Sequence, residues 1–361
     1  MSQAKARKFQ FQSLLRSKTF WAYAILFGLW AICGTIRPDF LRVEFNRETG
    51  MLYGSLIDIF NRSAEITIIA MGMTLVIALG GTDLSVGALV AVSGAFALKF
   101  LRWDVQEYPT PGDYSVYPFF LVIIVPIVAC ILMGAFNGAL IAKFKMQPII
   151  ATLVLMVAGR GIAQIATDGK QFTTLYSPFR AIGQGSLFYL PNPIIISIVA
   201  VVLVAVFTRK TSFGMFVESV GVNANASRVS GLRSDVIIMI VYILTGFLSG
   251  VAGLIYSSRI SSCDSNNAGV NYELDAILAV VIGGTSMTGG KFSLAGTVAG
   301  SLIVRTIITM IYYFGIVSEA TMTVKAVIIA VVIVIQSEPV RKWMATRKIS
   351  RKHALGGGVR A

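Results

Sequence analysis

Residues 66–101 read ITIIAMGMTLVIALGGTDLSVGALVAVSGAFALKFL: two apolar runs separated by Gly80-Gly81-Thr82-Asp83-Leu84-Ser85-Val86-Gly87. Each run has about the length a helix needs to cross some 30 Å of hydrocarbon. The break between them has almost no loop, so Asp83 and Ser85 are placed at or near membrane depth. Irregular backbone survives there only where protein or a wet cavity satisfies it. The glycines release the chain from helical geometry, and Asp83 or Ser85 can accept from the first amides of the next helix. Two readings stand side by side: a buried helix cap, or a turn lining a polar pathway.

Working outward, similar apolar runs recur along the 361 residues, at roughly 19–36, 63–80, 84–101, 117–142, 148–167, 193–208, 235–257, 274–288, 293–315 and 321–336. With 55% hydrophobic and 13% charged residues and a mean hydropathy of +0.76, the chain has the bilayer as its solvent, which excludes a soluble enzyme. The fold class is all-α, a polytopic membrane protein with about ten transmembrane helices. With the N-terminus inside, segments 1–18, 143–147, 209–234 and 337–361 hold 18 of the 31 Lys and Arg. The outer loops 37–62, 99–116, 168–192 and 258–273 hold nine, although they are longer. That asymmetry predicts both termini in the cytoplasm. The expected organisation is a basic cytoplasmic N-terminus (1–18), a transmembrane domain (19–336) and a basic cytoplasmic tail (337–361). The run from Phe20 to Ile36 also resembles a secretory signal, but Ala31-Ile32-Cys33-Gly34 lacks a cleavage site, so it reads as an uncleaved first span.

Several chemistries have no home here. Cys33, Cys130 and Cys263 fit neither a disulfide framework nor a metal spacing, and His353, the only histidine, lies in the basic tail. No catalytic residue, metal or cofactor is assigned. The net charge of +14 flanks apolar runs rather than interleaving with aromatics, so it reads as membrane topology and lipid contact, not nucleic-acid binding. The second polar break, Gly283 to Phe292, looks superficially like a phosphate cradle. It fails at Thr285 and Phe292, where that loop needs Gly and Ser or Thr.

The two breaks nevertheless echo one another, Val76 to Thr82 against Ala279 to Thr285, which suggests two related halves. Small residues at four-residue spacing (Gly134/Gly138, Gly246/Gly250, Gly296/Gly300) permit close helix crossings, read first as packing inside one subunit. In the inner segment 209–234, Phe213, Phe216, Val217 and Val220 fall on one face of a short helix that Gly221 is expected to end, with Glu218 opposite. Such a helix can lie in the headgroups or be gripped by a cytoplasmic motor. Asn137, Arg160 and Gln164 are deep polar residues suited to a polar path, and Arg305 is another candidate at membrane depth. Glu65 and Lys325 are expected near span ends, reaching the interface.

Gly72-Met73-Thr74-Leu75-Val76-Ile77 running into Gly80 to Gly87 resembles the signature of the ribose-type ABC sugar permeases. Ala268-Gly269 with Tyr272-Glu273-Leu274-Asp275-Ala276-Ile277, leading to Val281-Ile282-Gly283-Gly284-Thr285-Ser286, is similar to that family's second signature. Gly214, Val220-Gly221, Asn223, Ala226 and Gly231 resemble its cytoplasmic coupling segment. Within the family, Ala151 to Gly161 and Asp264 to Gly269 look most like permeases of galactofuranose importers. The resemblance covers about residues 52–336 and implies a permease in the bacterial inner membrane. It pairs with a second permease subunit, identical or sister, docks ATP-binding cassette subunits, and receives a neutral sugar such as galactofuranose or ribose from an extracytoplasmic sugar-binding protein. Pathway candidates are then Asp83, Ser85, Asn137, Arg160, Gln164, Asp264, Asn266, Asn267, Glu273 and Asp275. Coupling candidates are Gly214, Phe216, Glu218, Gly221, Asn223 and Gly231. The rival reading is an ion-coupled secondary sugar transporter, for which Asp83 is the one acidic group deep enough to carry an ion.

Overall fold

A computed structural model describes residues 18–46, 50–102 and 117–315, with isolated helical positions at 320, 323, 326–327 and 330–331. The basic N-terminus, the insert 103–116, Lys325, most of the expected tenth span and the basic tail lie outside the described residues. The helices are α1 (Lys18–Ile36), α2 (Ser55–Ala78), α3 (Val86–Arg102), α4 (Phe119–Ala142), α5 (Pro148–Ala166) and α6 (Ser177–Gln184). After them come α7 (Asn192–Lys210), α8 (Phe213–Val222), α9 (Ala224–Val229), α10 (Ser234–Ile260), α11 (Tyr272–Ile282) and α12 (Leu294–Tyr313). Three two-stranded ribbons are the only β-structure among the described residues. The chain is thus an all-α, multi-pass membrane protein.

Nine of the expected spans fall on helices, but only α1, α2, α4, α5, α7, α10 and α12 are long and apolar enough to cross a bilayer. Helix α3 has 17 residues and α11 only 11. Residues 283–288, expected to continue the eighth span, are irregular because the chain turns at Gly283-Gly284. Helix α2 begins at Ser55, well before the apolar run, and its outer turns carry an Asp58–Arg62 pair at 2.7 Å. Glu65 therefore sits well inside a helix rather than near its end. It is 0% exposed and pairs with Arg259 at 2.5 Å, so it does not reach the interface as expected.

Helix α10 is the central post, and small residues set how closely its neighbours approach. A Cβ added at Gly246 would lie 2.4 Å from the Cys130 carbonyl oxygen of α4, and one at Gly134 would lie 2.5 Å from the Tyr242 carbonyl oxygen. Across α11 and α12, a Cβ at Gly300 would meet the Ala279 carbonyl oxygen at 1.9 Å. The glycine pairs thus serve crossings inside one chain. Hydroxyls supply further ties between helices: Thr74 to Thr297 at 2.8 Å, Thr67 to Ser301 at 2.7 Å, and Ser93 to the Gly250 carbonyl at 2.7 Å. Apolar side chains on α1, α4, α5 and α7, among them Phe27, Leu132, Val157 and Leu203, face outward as lipid contact requires.

Gly246→Ala is expected to cost about 1–3 kcal/mol through overpacking of the α4–α10 crossing. Gly161→Ala, where an added Cβ meets nothing within 4 Å, should leave the unfolding midpoint unchanged or slightly raised. Thermal unfolding of the two purified variants in detergent checks the contrast.

Candidate functional site

Both breaks end their helices with the same cap. After α2, Gly80 takes φ +81° while its N–H donates to Ile77 O at 2.9 Å and the Gly81 N–H donates to Val76 O at 3.1 Å. After α11, Gly284 takes φ +93° while its N–H donates to Val281 O at 2.9 Å and the Thr285 N–H donates to Val280 O at 3.3 Å. Only glycine holds the left-handed position without strain. The echo in sequence aligns Gly80 with Gly283, whereas the geometry aligns Gly80 with Gly284, one residue along.

The two caps touch. The Gly290 N–H donates to the Ala78 carbonyl oxygen at 2.8 Å, joining the end of α2 to the second break. Helix α8 packs onto the same point: a Cβ at Gly221 would lie 1.8 Å from Ala78 O and 2.9 Å from Gly290 N. A Cβ at Gly289 would lie 2.7 Å from Gly221 O. Three stretches singled out separately in the sequence therefore meet backbone against backbone.

Beside this junction lies a buried polar cluster. Asp83 is 1% exposed, and its Oδ1 accepts from the Ser85 N–H at 2.9 Å and the Ser85 hydroxyl at 2.6 Å, a turn that leads into α3. The Asn137 amide of α4 donates to Ser85 Oγ at 3.0 Å. Thr152 of α5 accepts from the Leu84 N–H at 3.1 Å. Asn137 Oδ1, Thr82 Oγ1 and the Tyr242 hydroxyl are buried without a hydrogen-bond partner among the described residues. Asp83 and Ser85 thus form a turn ahead of α3 within a polar cluster that retains bonding capacity.

A second cluster gathers at the opposite end of α5. Arg160 Nη1 donates to the carbonyl oxygens of Ser265, Asn266 and Ala268 at 3.1, 3.0 and 2.9 Å, and Gln164 donates to Asn266 Oδ1 at 2.7 Å. The Asp264 carboxylate accepts from the Asn266 N–H at 2.9 Å and the Asn267 amide at 2.6 Å. The Asn267 amide, foremost, holds that carboxyl below its ordinary value. Arg160 and Gln164 thus brace the loop 261–271, apart from the Asn137–Ser85 contact. The Glu273 carboxylate and the Gly269 carbonyl press on the first turn of α3, 2.3 and 2.4 Å from where a Cβ on Gly87 would stand. Asp275 is buried, at 5% exposure.

Helix α8 buries Phe213, Gly214, Val217 and Val220, half-buries Phe216 and Glu218, and ends at Val222 rather than at Gly221. The stop comes from Asn223, whose side chain accepts from the Ala226 N–H at 2.9 Å to cap α9, while Gly221 serves the close approach to Ala78. Gly231, at φ +86°, turns the chain toward α10. The start of α10 is anchored by Asp235, which pairs with Lys145 at 2.6 Å and Arg228 at 2.9 Å. Met215, Val222 and Val229 stand 63%, 77% and 91% exposed on α8 and α9, an apolar surface that the sequence reading passed over. Their spacing gave no signal apart from the buried face.

A family described as "Branched-chain amino acid transport system / permease component" matches residues 55–335. The chain is 44% identical to the galactofuranose transporter permease protein YtfT of Escherichia coli (strain K12) over 84% of its own length and 85% of that protein's. It is 37% identical to the fructose import permease protein FruF of Bifidobacterium longum, covering 97% and 96% of the two chains. It is 36% identical to the ribose import permease protein RbsC of Haemophilus influenzae, covering 93% and 96%. No solved structure matches.

Asp83→Asn keeps an acceptor for Ser85 and is expected to retain most of the chain's stability, whereas Asp83→Ala should cost about 1 kcal/mol, read as a lower unfolding midpoint. Arg160→Met removes a charged donor to three carbonyls, so amide hydrogen exchange across 264–270 should quicken about tenfold or more while the rest of the chain is unchanged.

Proposed function

As this chain belongs to the permease-component family, we propose that it is the membrane-spanning transport subunit of an ATP-binding cassette importer for a neutral monosaccharide. Galactofuranose or a similar furanose or pentose comes first as its cargo. The observation that carries the sugar reading is the near full-length likeness to permeases named for galactofuranose, fructose and ribose, although the family description speaks of branched-chain amino acids. The chemistry agrees: the clusters around Ser85 and Asn137, and around Gln164, Asn266 and Asn267, offer hydroxyl and amide groups suited to sugar hydroxyls. An amino-acid permease would also have to meet an ammonium and a carboxylate.

In this reading α8 and α9 lie on the cytoplasmic face with both termini, in the bacterial inner membrane. ATP-binding subunits grip Met215, Val222 and Val229, and motion of α8 passes through Gly221 to Ala78 and Gly290. Both breaks then move together, and with them the Asp83–Ser85–Asn137 cluster at the start of α3. The braced loop 261–271 lies on the opposite face, where an extracytoplasmic sugar-binding protein delivers the cargo. A second permease subunit completes the membrane portion. Hydrolysis of ATP belongs to the partner subunits, and this chain is not an enzyme.

Reconstitution with its binding protein and ATP-binding subunits should give ATP-dependent uptake of one neutral sugar from a panel of labelled monosaccharides, amino acids and phosphate esters. Uptake confined to amino acids would overturn the substrate. Transport driven by an ion gradient without ATP would instead revive the secondary-transporter reading.

Gly221→Ala should leave insertion and assembly intact while lowering sugar transported per ATP hydrolysed at least about tenfold, because the added Cβ drives α8 off the junction. Full coupling in that variant would remove the junction from the mechanism.

A further inference from the structure

At the end of the bundle opposite α8, helices α2, α10 and α12 bring together three cations and two carboxylates. Asp58 is taken by Arg62 at 2.7 Å, and Glu65 by Arg259 at 2.5 Å. That leaves Arg305 of α12, which has no ion-pair partner among the described residues and whose buried Nε has no hydrogen-bond acceptor there. It lies within electrostatic reach of Glu65, Arg259 and Arg62, so the group carries one uncompensated positive charge. A cation left without a counterion at membrane depth is costly, and part-buried Arg305 stands in that position.

Arg305 forms the wall of a cavity of 590 Å³, shared with Ser55, Asp58, Arg62, Thr309 and Tyr312. At about 30 Å³ per water, that is far more room than a monatomic ion needs and suits a headgroup. The cleft runs up α12 to Tyr312 and Tyr313, which are 57% and 39% exposed at the end of a spanning helix, where aromatic residues mark the headgroup level. Leu41, Tyr53 and Phe314, each nearly half exposed, add apolar surface at that level. Gly54 and Ser55, where α2 begins, also line the cleft, and Gly54 as the N-cap offers no side-chain acceptor.

We propose that this cleft binds the phosphodiester of an anionic membrane phospholipid, with Arg305 and Arg62 facing the phosphate and the acyl chains leaving past Tyr312 into the bilayer. A neutral sugar would supply no charge to Arg305, and Asp58 is already neutralised by Arg62. The site is separate from the Asp83 cluster and does not depend on the transport reading.

Native mass spectrometry of the full-length chain in nonionic detergent tests this, with phosphatidylglycerol, the diacylglycerol of the same acyl chains, and inorganic phosphate as probes. One phosphatidylglycerol per chain should be retained about tenfold more tightly than diacylglycerol and should resist displacement by inorganic phosphate. Arg305→Gln should abolish that preference and Arg305→Lys should keep most of it. Thr309→Phe, which fills the cleft without altering charge, should also abolish it and decides the matter if Arg305→Gln fails to fold. Unchanged preference in Arg305→Gln or Thr309→Phe overturns the site. Displacement by inorganic phosphate would make the occupant a free anion and overturns the lipid.

Discussion

A helix that ends inside a packed bundle cannot simply stop, because its last carbonyls have no water to turn to. The end of α2 meets this constraint by giving the Ala78 carbonyl to the Gly290 N–H of the other break. Much follows from that one bond. It holds two short, glycine-capped interruptions side by side, leaves the start of α3 free for the Asp83–Ser85 turn, and creates a flat backbone surface on which only a glycine of α8 can rest. Helices α3 and α11 can then be shorter than a full crossing, since their ends are satisfied by protein rather than by solvent.

Polar groups in this chain are sorted by depth and by partner. In the buried cluster beside the breaks they are uncharged apart from Asp83, and several keep a free bonding position. Toward the other end they are large and charged, held as ion pairs or as a guanidinium spread over three loop carbonyls. Apart from Arg305, these engaged charges make a stiff rim. Partly engaged hydroxyls and amides make a region that can exchange one partner for another at little cost.

The apolar runs made the helical class and most of its spans legible, because hydrophobic length is a local property. The glycine breaks were legible for the same reason, whereas Asp83 bonds Ser85 in the turn just before α3 rather than the helix's own first amides. What failed to show was tertiary. Nothing local marks Ser55 as the start of α2, so Glu65 read as a span-end residue rather than the buried partner of Arg259. Arg160 and Gln164 read as deep polar groups, but their partners lie some hundred residues away in the loop 261–271. Gly221 read as a helix stop, since the carbonyl it must approach belongs to α2, far off in sequence. The echo between the breaks was visible, yet its one-residue offset emerged only from which glycine carries positive φ.

Helix α8 has two faces under different kinds of constraint. Its buried side is fixed by contact between backbones at Gly221, where every larger residue is excluded whatever its chemistry. Its other side carries Met215 and Val222, both largely exposed among the described residues. Sequence can therefore drift on that outer side as fast as whatever covers it, while the inner side stays still. Under the docking proposed above, exchanging only the outward residues of α8 and α9 between related permeases is a compact way to re-pair a membrane subunit with a different motor, leaving the bundle and its polar clusters as they are.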